Sequence, residues 1–209
     1  MFLVSNTNFD LENQLISRGY GIVGGLDEVG RGALAGPVAA GLVVFPCDVD
    51  PNYLTEVTDS KKLSQKNRER LATIICRNSL VCEVAYAEVE EIDDIGIVPA
   101  TKLAMQRAID QTPFTIDFLI VDALDMSDSG IPHYSLNKAD EISKTVAAAS
   151  IVAKVIRDAY MKNISTEYPG YLLEKNKGYG TKGHIEAIFQ LGPSIIHRKT
   201  FAPVSSILL

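Results

Sequence analysis

The sequence is short of the residues that build disulfide-stapled or zinc-organised proteins. Its three cysteines, Cys47, Cys76 and Cys82, are odd in number and form no CxxC pair. That arrangement argues against a disulfide framework and a zinc site, and it suits the reducing cytoplasm. No apolar run is long enough to span a bilayer, so no membrane association is expected. The opening MFLVSNTNFD lacks the basic n-region and apolar core of a signal peptide. Repeats, low-complexity tracts and Pro/Gly/Ser linkers are missing too. One domain with a sizeable core, or one domain plus a small appendage, is therefore expected from 209 residues.

What is present is ordinary in bulk and uneven in detail. Hydrophobic content of 46% and charged content of 22% exclude disorder and little else. The net charge of −6 argues at first against a nucleic-acid partner. Residues 154–200, however, hold eight Lys/Arg against four acids, a local balance of +4 that leaves −10 for the rest. An acidic body with a basic C-terminal quarter is compatible with a carboxylate site beside a phosphate-holding surface. An accidental asymmetry of a solvated surface would look the same.

Periodicity places the elements. A short helix is expected over 8–18, and apolar, β-branched strands over 22–26 and 38–45, either side of a glycine-rich turn at 30–36. A third strand is expected over 81–89, helices over 64–76 and 98–111, and a wholly apolar strand over 118–121 that ends in Asp122. The clearest helix is 141–163, where Ile142, Val146, Ala149, Ala153, Ile156 and Tyr160 recur on one stripe. Ala147, Ala148, Ala149 and Ser150 make that helix thin enough to approach a sheet. A last helix is expected over 182–191, closed by Gly192 and Pro193. The order of elements gives an α/β domain around a mixed sheet flanked by helices. The terminal SSILL is short and apolar, and its pattern suggests no role.

The carboxylates carry the chemistry. Asp27 and Glu28 close an apolar strand directly before Gly30-Arg31-Gly32, Asp122 closes another, and Asp140 precedes the thin helix. Buried charge is costly unless paired or bound to metal. Carboxylates without a His or Cys cluster suit a hard cation, Mg²⁺ or Mn²⁺. Two such ions can serve an in-line phosphoryl displacement. Asp122 could equally be a turn residue and Asp140 a helix N-cap. Neighbours on a regular strand point to opposite faces, so Asp27 and Glu28 share a site only if the strand twists or ends there. The GRG segment fits a plain hairpin turn or a backbone brought close to a ligand, with Arg31 meeting a phosphate.

Beyond these readings, seven segments resemble bacterial ribonuclease HII. They are GLDEVGRGALAGPV (25–38), TDSKKLS (58–64), IVDA (120–123), KADEISKTVAAASIVAKVIRD (138–158), YPGY (168–171), NKGYGTKGH (176–184) and HRKTFAPV (197–204), in the family's order. The resemblance implies an RNase H-like fold in one catalytic domain, 1–209, of which about 165–209 forms a small C-terminal helical extension. It implies a site of Asp27, Glu28, Asp122 and Asp140 that binds two Mn²⁺ or Mg²⁺ ions. The substrates it implies are RNA/DNA hybrids and DNA duplexes containing ribonucleotides, cut 5′ to the ribonucleotide to leave 3′-hydroxyl and 5′-phosphate ends. It assigns Gly30, Arg31 and Gly32 to the 2′-hydroxyl, the group that separates RNA from DNA. Tyr179 would pack on the sugar that follows. Ser60, Lys61, Lys154 and Arg157 are expected at phosphates, with solvated helix-face charges as the alternative for the last two. A cytoplasmic monomer is expected.

The sequence departs from the family at Ala33, where many relatives have proline, and at Ala147, where many have serine. ALDM (123–126) replaces a GN seen in some members, which puts contacts from that loop in doubt. The related ribonuclease HIII usually has lysine in place of Arg31 and a long extra N-terminal domain, features this chain lacks. Two rivals stay open: a junction-cutting nuclease of the same fold, and a hybrid-binding module without catalysis.

Overall fold

Two glycines decide how closely the longest helix lies on the sheet. A Cβ at Gly25 would sit 2.5 Å from the Thr145 carbonyl carbon, and one at Gly41 would sit 2.5 Å from the Ala149 oxygen. Side chains at these positions would push helix and sheet apart. This computed structural model describes residues 7–207. Residues 1–6, on which part of the signal-peptide expectation rests, and 208–209, the end of SSILL, lie outside the described residues.

The sheet contains β1 (Val23–Val29), β2 (Val38–Val44), β3 (Val81–Ala87), β4 (Phe118–Asp122) and β5 (His133–Leu136), in the order β3-β2-β1-β4-β5. β1 pairs antiparallel with β2 and parallel with β4, so the sheet is mixed. Helix α5 (Lys144–Ile164) presents Ala147, Ala148, Ala149, Ile151 and Val152 to one face, beside α2 (Gln65–Asn78). Helices α3 (Val89–Ile95) and α4 (Ile97–Asp110) cover the other face through Ile92, Ala100, Ala104, Met105 and Ala108. Helix α1 (Asp10–Ser17) packs Leu15 against Val23, Phe118 and Val146. Residues after α5 form α6 (Leu173–Asn176), α7 (Lys182–Leu191) and α8 (Val204–Ile207). Their Tyr171, Leu173, Ile188 and Val204 bury against Leu34, Ala35, Met161 and Ile164. Among the described residues no helix is long and apolar enough to cross a membrane.

Several expectations need correction. The segment 141–143 is not helical with α5: Ala139–Glu141 is a separate 3-10 turn, and Ser143 caps α5 by accepting from the Val146 N–H. Ile142 is therefore exposed, and Ile156, within α5, faces outward too, so neither belongs to the buried stripe. The third strand stops at Ala87, because Glu88 and Glu91 exchange side-chain and backbone hydrogen bonds as a capping box and start α3. β5 and α3 were not anticipated. Cys76 and Cys82 form a disulfide, contrary to expectation; the short passage from α2 into β3 brings their Cα atoms to 5.3 Å. Cys47 is left free and exposed.

Candidate active site

The parallel register of β1 and β4 assembles the carboxylates. Leu26 pairs with Val121, so the next residues along, Asp27 and Asp122, lie side by side at one end of the sheet. β1 does not end at Asp27: Asp27 pairs with Gly41 and Glu28 with Ala40 in unbroken antiparallel register. Asp27 points with Gly25 toward α5, where Ser150 hydrogen-bonds it, and its Oδ1 accepts from the Glu28 N–H at 2.7 Å. Glu28 points the other way and takes a 3.1 Å ion pair from Arg31. Asp122 Oδ1 accepts from the Ala139 N–H at 2.8 Å, which ties the 3-10 turn carrying Asp140 to the end of β4. Asp140 is thus buried inside that turn and is not the helix cap.

Asp122 acts electrostatically on each of the other three. Burial first, then repulsion from Glu28 and Asp122, holds the Asp27 carboxyl well above the ordinary range. Glu28 is raised by burial and Asp122 against the opposing pull of Arg31. Asp140 is raised by burial, then by Asp122 and Asp59. Lys61 is pushed down by burial, but Asp140, Asp59, Asp27 and Asp122 outweigh that and raise it. An exposed ammonium therefore faces a cluster of carboxylates of opposite charge.

The cluster suits a hard cation in chemistry. Glu28 Oε2 is buried without a hydrogen-bond partner, an orphaned acceptor of the kind an ion satisfies. As they stand, no three His, Cys, Asp or Glu side chains among the described residues converge tightly enough to hold one. A cation bound there would offset the mutual repulsion of the carboxylates.

The glycine-rich loop beside them is held by two buried arginines. Arg198 donates to the carbonyls of Gly30 (2.8 Å), Arg31 (2.8 Å) and Gly36 (3.0 and 2.9 Å). Arg157 donates to those of Pro37 (2.8 Å), Lys177 (2.9 Å) and Ala35 (3.3 Å). Both are fully buried. Burial and the neighbouring Arg157 push Arg198 down to about 9, still cationic at neutral pH. Gly30 has φ +92°, and a Cβ there would collide with Arg157 Nε, so the turn requires glycine. Leu34 donates to the Gly178 carbonyl at 2.8 Å, and Ala33 bridges Tyr179, which joins the loop to the later GY segment. Lys154 Nζ lies 5.2 Å and Arg157 Cζ 5.5 Å from the centroid of the half-buried Tyr179 ring.

A histidine relay fixes that segment from behind. The Tyr179 carbonyl can only accept, so His184 Nδ1, 2.9 Å away, carries the proton. His184 Nε2 then accepts from His197 Nε2–H at 3.2 Å, and His197 Nδ1 accepts from the Ser194 N–H at 3.0 Å. Every bond in the chain requires both rings neutral. Burial, with the neighbouring His184, lowers His197 to about 4, and burial lowers His184 as well.

Several expected phosphate contacts are placed elsewhere. Arg157 is neither at the surface nor on a solvated helix face; it is the loop's internal clamp. Ser60 is buried, with its hydroxyl 3.0 Å from Ser150 Oγ, and so supports the partner of Asp27. Lys154 pairs with Asp158 at 2.8 Å beside Tyr179, and Lys61 stands exposed at the carboxylates. Arg31 leans on Glu28. The basic surplus of 154–200 thus includes two wholly buried guanidiniums. Sequence reasoning missed Ser150, Asp59, Arg198, His184 and His197 as supports. A lone hydroxyl among alanines at 150 was the one visible hint.

The ribonuclease HII family model matches residues 24–204. The chain belongs to the ribonuclease HII family. A ribonuclease HII of Carboxydothermus hydrogenoformans is 47% identical over 199 residues, 95% of this chain and 85% of that relative. One from Dehalococcoides mccartyi is 44% identical over 197 residues, 94% and 93% of the two. The crystal structure of ribonuclease H2 from Pyrococcus horikoshii superposes with a TM-score of 0.74 at 24% identity, covering 89% of this chain and 96% of that one. A structure of Bst-RNase HIII in complex with Mn²⁺ gives 0.63 at 18% identity, covering 90% and 69%. These likenesses establish the RNase H-like fold. Ribonuclease HII members are metal-dependent endonucleases of the ribonuclease H class that act on RNA/DNA hybrids, and this chain is an enzyme of that class.

Proposed function

We propose that the enzyme cuts 5′ to ribonucleotides embedded in duplex DNA, as well as the RNA strand of hybrids, leaving 3′-hydroxyl and 5′-phosphate ends and so opening ribonucleotide excision repair. The observation that carries this reading is the placement of Asp122, which adjoins Asp27, touches the Asp140 turn and acts on Glu28. Asp27, Glu28, Asp122 and Asp140 would hold two Mg²⁺ or Mn²⁺ ions, which supply Lewis-acid stabilisation for in-line attack of water on the phosphodiester. A fold relative solved with Mn²⁺ supports the choice of ion.

The chain's own residues do the selecting. Arg198 engages the carbonyls of Gly30 and Arg31 on the protein side, which pre-orients the Gly30–Gly32 peptides to meet a 2′-hydroxyl at low entropic cost. Arg31 would exchange Glu28 for a phosphate as the carboxylates take up metal. Tyr179, bridged to the same loop, would pack on the sugar that follows the ribonucleotide. Lys61 and Lys154 would hold phosphates, while Ser60 and Arg157 serve inside. We read the chain as one catalytic domain with a C-terminal helical extension from about residue 165, acting as a monomer in the cytoplasm, where its DNA substrate lies.

Asp122→Asn tests the assignment. It should lower cleavage of a duplex with one embedded ribonucleotide on the order of 10³-fold or more while the circular dichroism spectrum stays unchanged. Near-normal turnover would sink the carboxylate assignment. A comparison with an all-DNA junction excludes the junction-nuclease rival unless both substrates are cut equally.

A further inference from the structure

Arg198 can hold the 30–37 loop only if the chain that carries it is itself held. Its own N–H donates to the Leu34 carbonyl at 2.9 Å, and the Phe201 ring centroid lies 5.0 Å from its Cζ. The next two residues, Lys199 and Thr200, are exposed and belong to no helix or strand. A single carboxylate anchors them. Asp93 of α3 accepts from the Lys199 N–H on Oδ2 (2.9 Å), and from the Thr200 N–H (3.0 Å) and Thr200 Oγ1 (2.7 Å) on Oδ1. Burial alone would raise this carboxyl, but the bonds from Thr200 and Lys199 outweigh it and hold the group below its ordinary range. Bonds to an ionised acceptor are the stronger kind.

The helix that presents Asp93 is a firm mount. Glu88 and Glu91 close its capping box, and Ile92, next to Asp93, is fully buried in the core. Arg107 of α4 grips Glu91 at 2.8 and 2.6 Å and also donates to the Tyr86 carbonyl at 2.8 Å. The acceptors of Arg198, the carbonyls of Gly30, Arg31 and Gly36, lie instead on the loop between β1 and β2. Arg198 stands between these two bodies. Burial and Arg157 lower its pKa, while Tyr179 and Asp93 pull the other way, so Asp93 acts on the guanidinium itself as well as on the chain beyond it. Asp93 is not among the groups that act on Asp27, Glu28 or Asp140.

We propose that Asp93 is a positioning residue for ribonucleotide recognition: by fixing the turn at Lys199 and Thr200, it sets the reach of Arg198 and with it the Gly30–Gly32 peptides that meet the 2′-hydroxyl. The inference rests on the proposed role of that loop. Asp93 itself touches no substrate. Without it, Arg198 stays bonded at its own N–H while the chain on its far side is released, and the bonds to the loop carbonyls lose alignment before they break. Hydrogen bonds weaken steeply with angle, so a slack clamp costs recognition ahead of stability. General grip on a duplex comes from phosphate contacts elsewhere and is spared.

The test is fluorescence anisotropy of the full chain, in chelator so that no strand is cut, with a DNA duplex carrying one ribonucleotide and with the same duplex in all-DNA form. The parent should bind the ribonucleotide duplex more tightly. Asp93→Ala should lower that preference at least about threefold and leave affinity for the all-DNA duplex unchanged. Asp93→Asn keeps one acceptor oxygen and should lose less of the preference; it decides the matter alone if Asp93→Ala does not fold. A merely structural role would lower the melting temperature and weaken both duplexes equally or neither. Equal weakening on both duplexes, or a preference undiminished in both variants, would overturn the role of Asp93. No preference in the parent would overturn the reading of the loop itself, and this inference with it.

Discussion

The two halves of the site are held in opposite ways. At the end of the sheet, four carboxylates repel one another, one oxygen is orphaned, and three of the four are raised by burial and by like charge. A few residues away, the 30–37 loop has the carbonyls of Gly30, Arg31, Ala35, Gly36 and Pro37 bonded to two buried guanidiniums. The first region stores unfavourable electrostatics, which a bound cation would offset. The second is satisfied internally before any substrate arrives. On the proposed function, chemistry would be completed by bound ions, whereas recognition geometry would be built in advance.

The strongest way to break this contrast is to remove the clamp. Arg198→Met keeps the volume but strands the carbonyls of Gly30, Arg31 and Gly36 in the interior. A buried charged group removed from its partners typically costs about 3–5 kcal/mol. The melting temperature should fall by roughly 10 °C for a chain of this size. Asp27→Asn should do the reverse, raising the melting temperature by a few degrees through loss of buried repulsion while abolishing cleavage. Calorimetry on both variants checks the signs. If both are destabilised alike, the two halves are not held differently.

How far these halves were legible in the sequence follows the same division. Asp122 was legible only as a candidate, an acid that closes a wholly apolar strand and could equally have been a turn residue. The thin stretch at 147–150 announced its close approach, and Gly25 and Gly41 complete it from the sheet side. Arg157 and Arg198 were illegible as clamps, because a charged residue is assigned to solvent until its acceptors, here mostly over 100 residues away, are known. The start of α5 was misplaced because Ile142 falls in helical phase with Val146, although Ser143 is the better cap. β5 escaped because His133-Tyr134-Ser135-Leu136 is half-buried and short, with no alternation to mark it. The disulfide escaped because an odd cysteine count gives no pairing.

The histidine relay sharpens the recognition half on a smaller scale. His197 is neutral when folded, with its pKa near 4 against about 6.5 unfolded. The unfolded chain therefore binds more protons between those values, and stability falls as pH drops from about 6.5 toward 4. The loss from this one group is on the order of 2–3 kcal/mol. The raised carboxylates act with the opposite sign, since they take up protons more readily folded than unfolded. The carboxylates are common to parent and variant, so thermal melts from pH 7 to 4.5 should show the His197→Gln midpoint gaining on the parent as pH falls. Identical slopes would remove His197 as the sensitive group.

The smallest stability effect is expected where the effect on specificity should be largest for its size. The Tyr179 ring is half exposed, and its two cation contacts, at 5.2 and 5.5 Å, are worth about 0.5–1 kcal/mol each at such a site. Tyr179→Ala should lower the melting temperature by only a few degrees, because the His184 bond is to the backbone carbonyl and survives the substitution. If the ring packs on the sugar after the ribonucleotide, the same variant should lose about tenfold or more in cutting a single embedded ribonucleotide. Cleavage of a long hybrid, where many registers are equivalent, should suffer less. Tyr179→Phe keeps the ring and should keep both activities. A loss shared equally by the two substrates and by stability would mean that the ring only packs against Lys154 and Arg157, and that selection of the junction lies elsewhere on the loop.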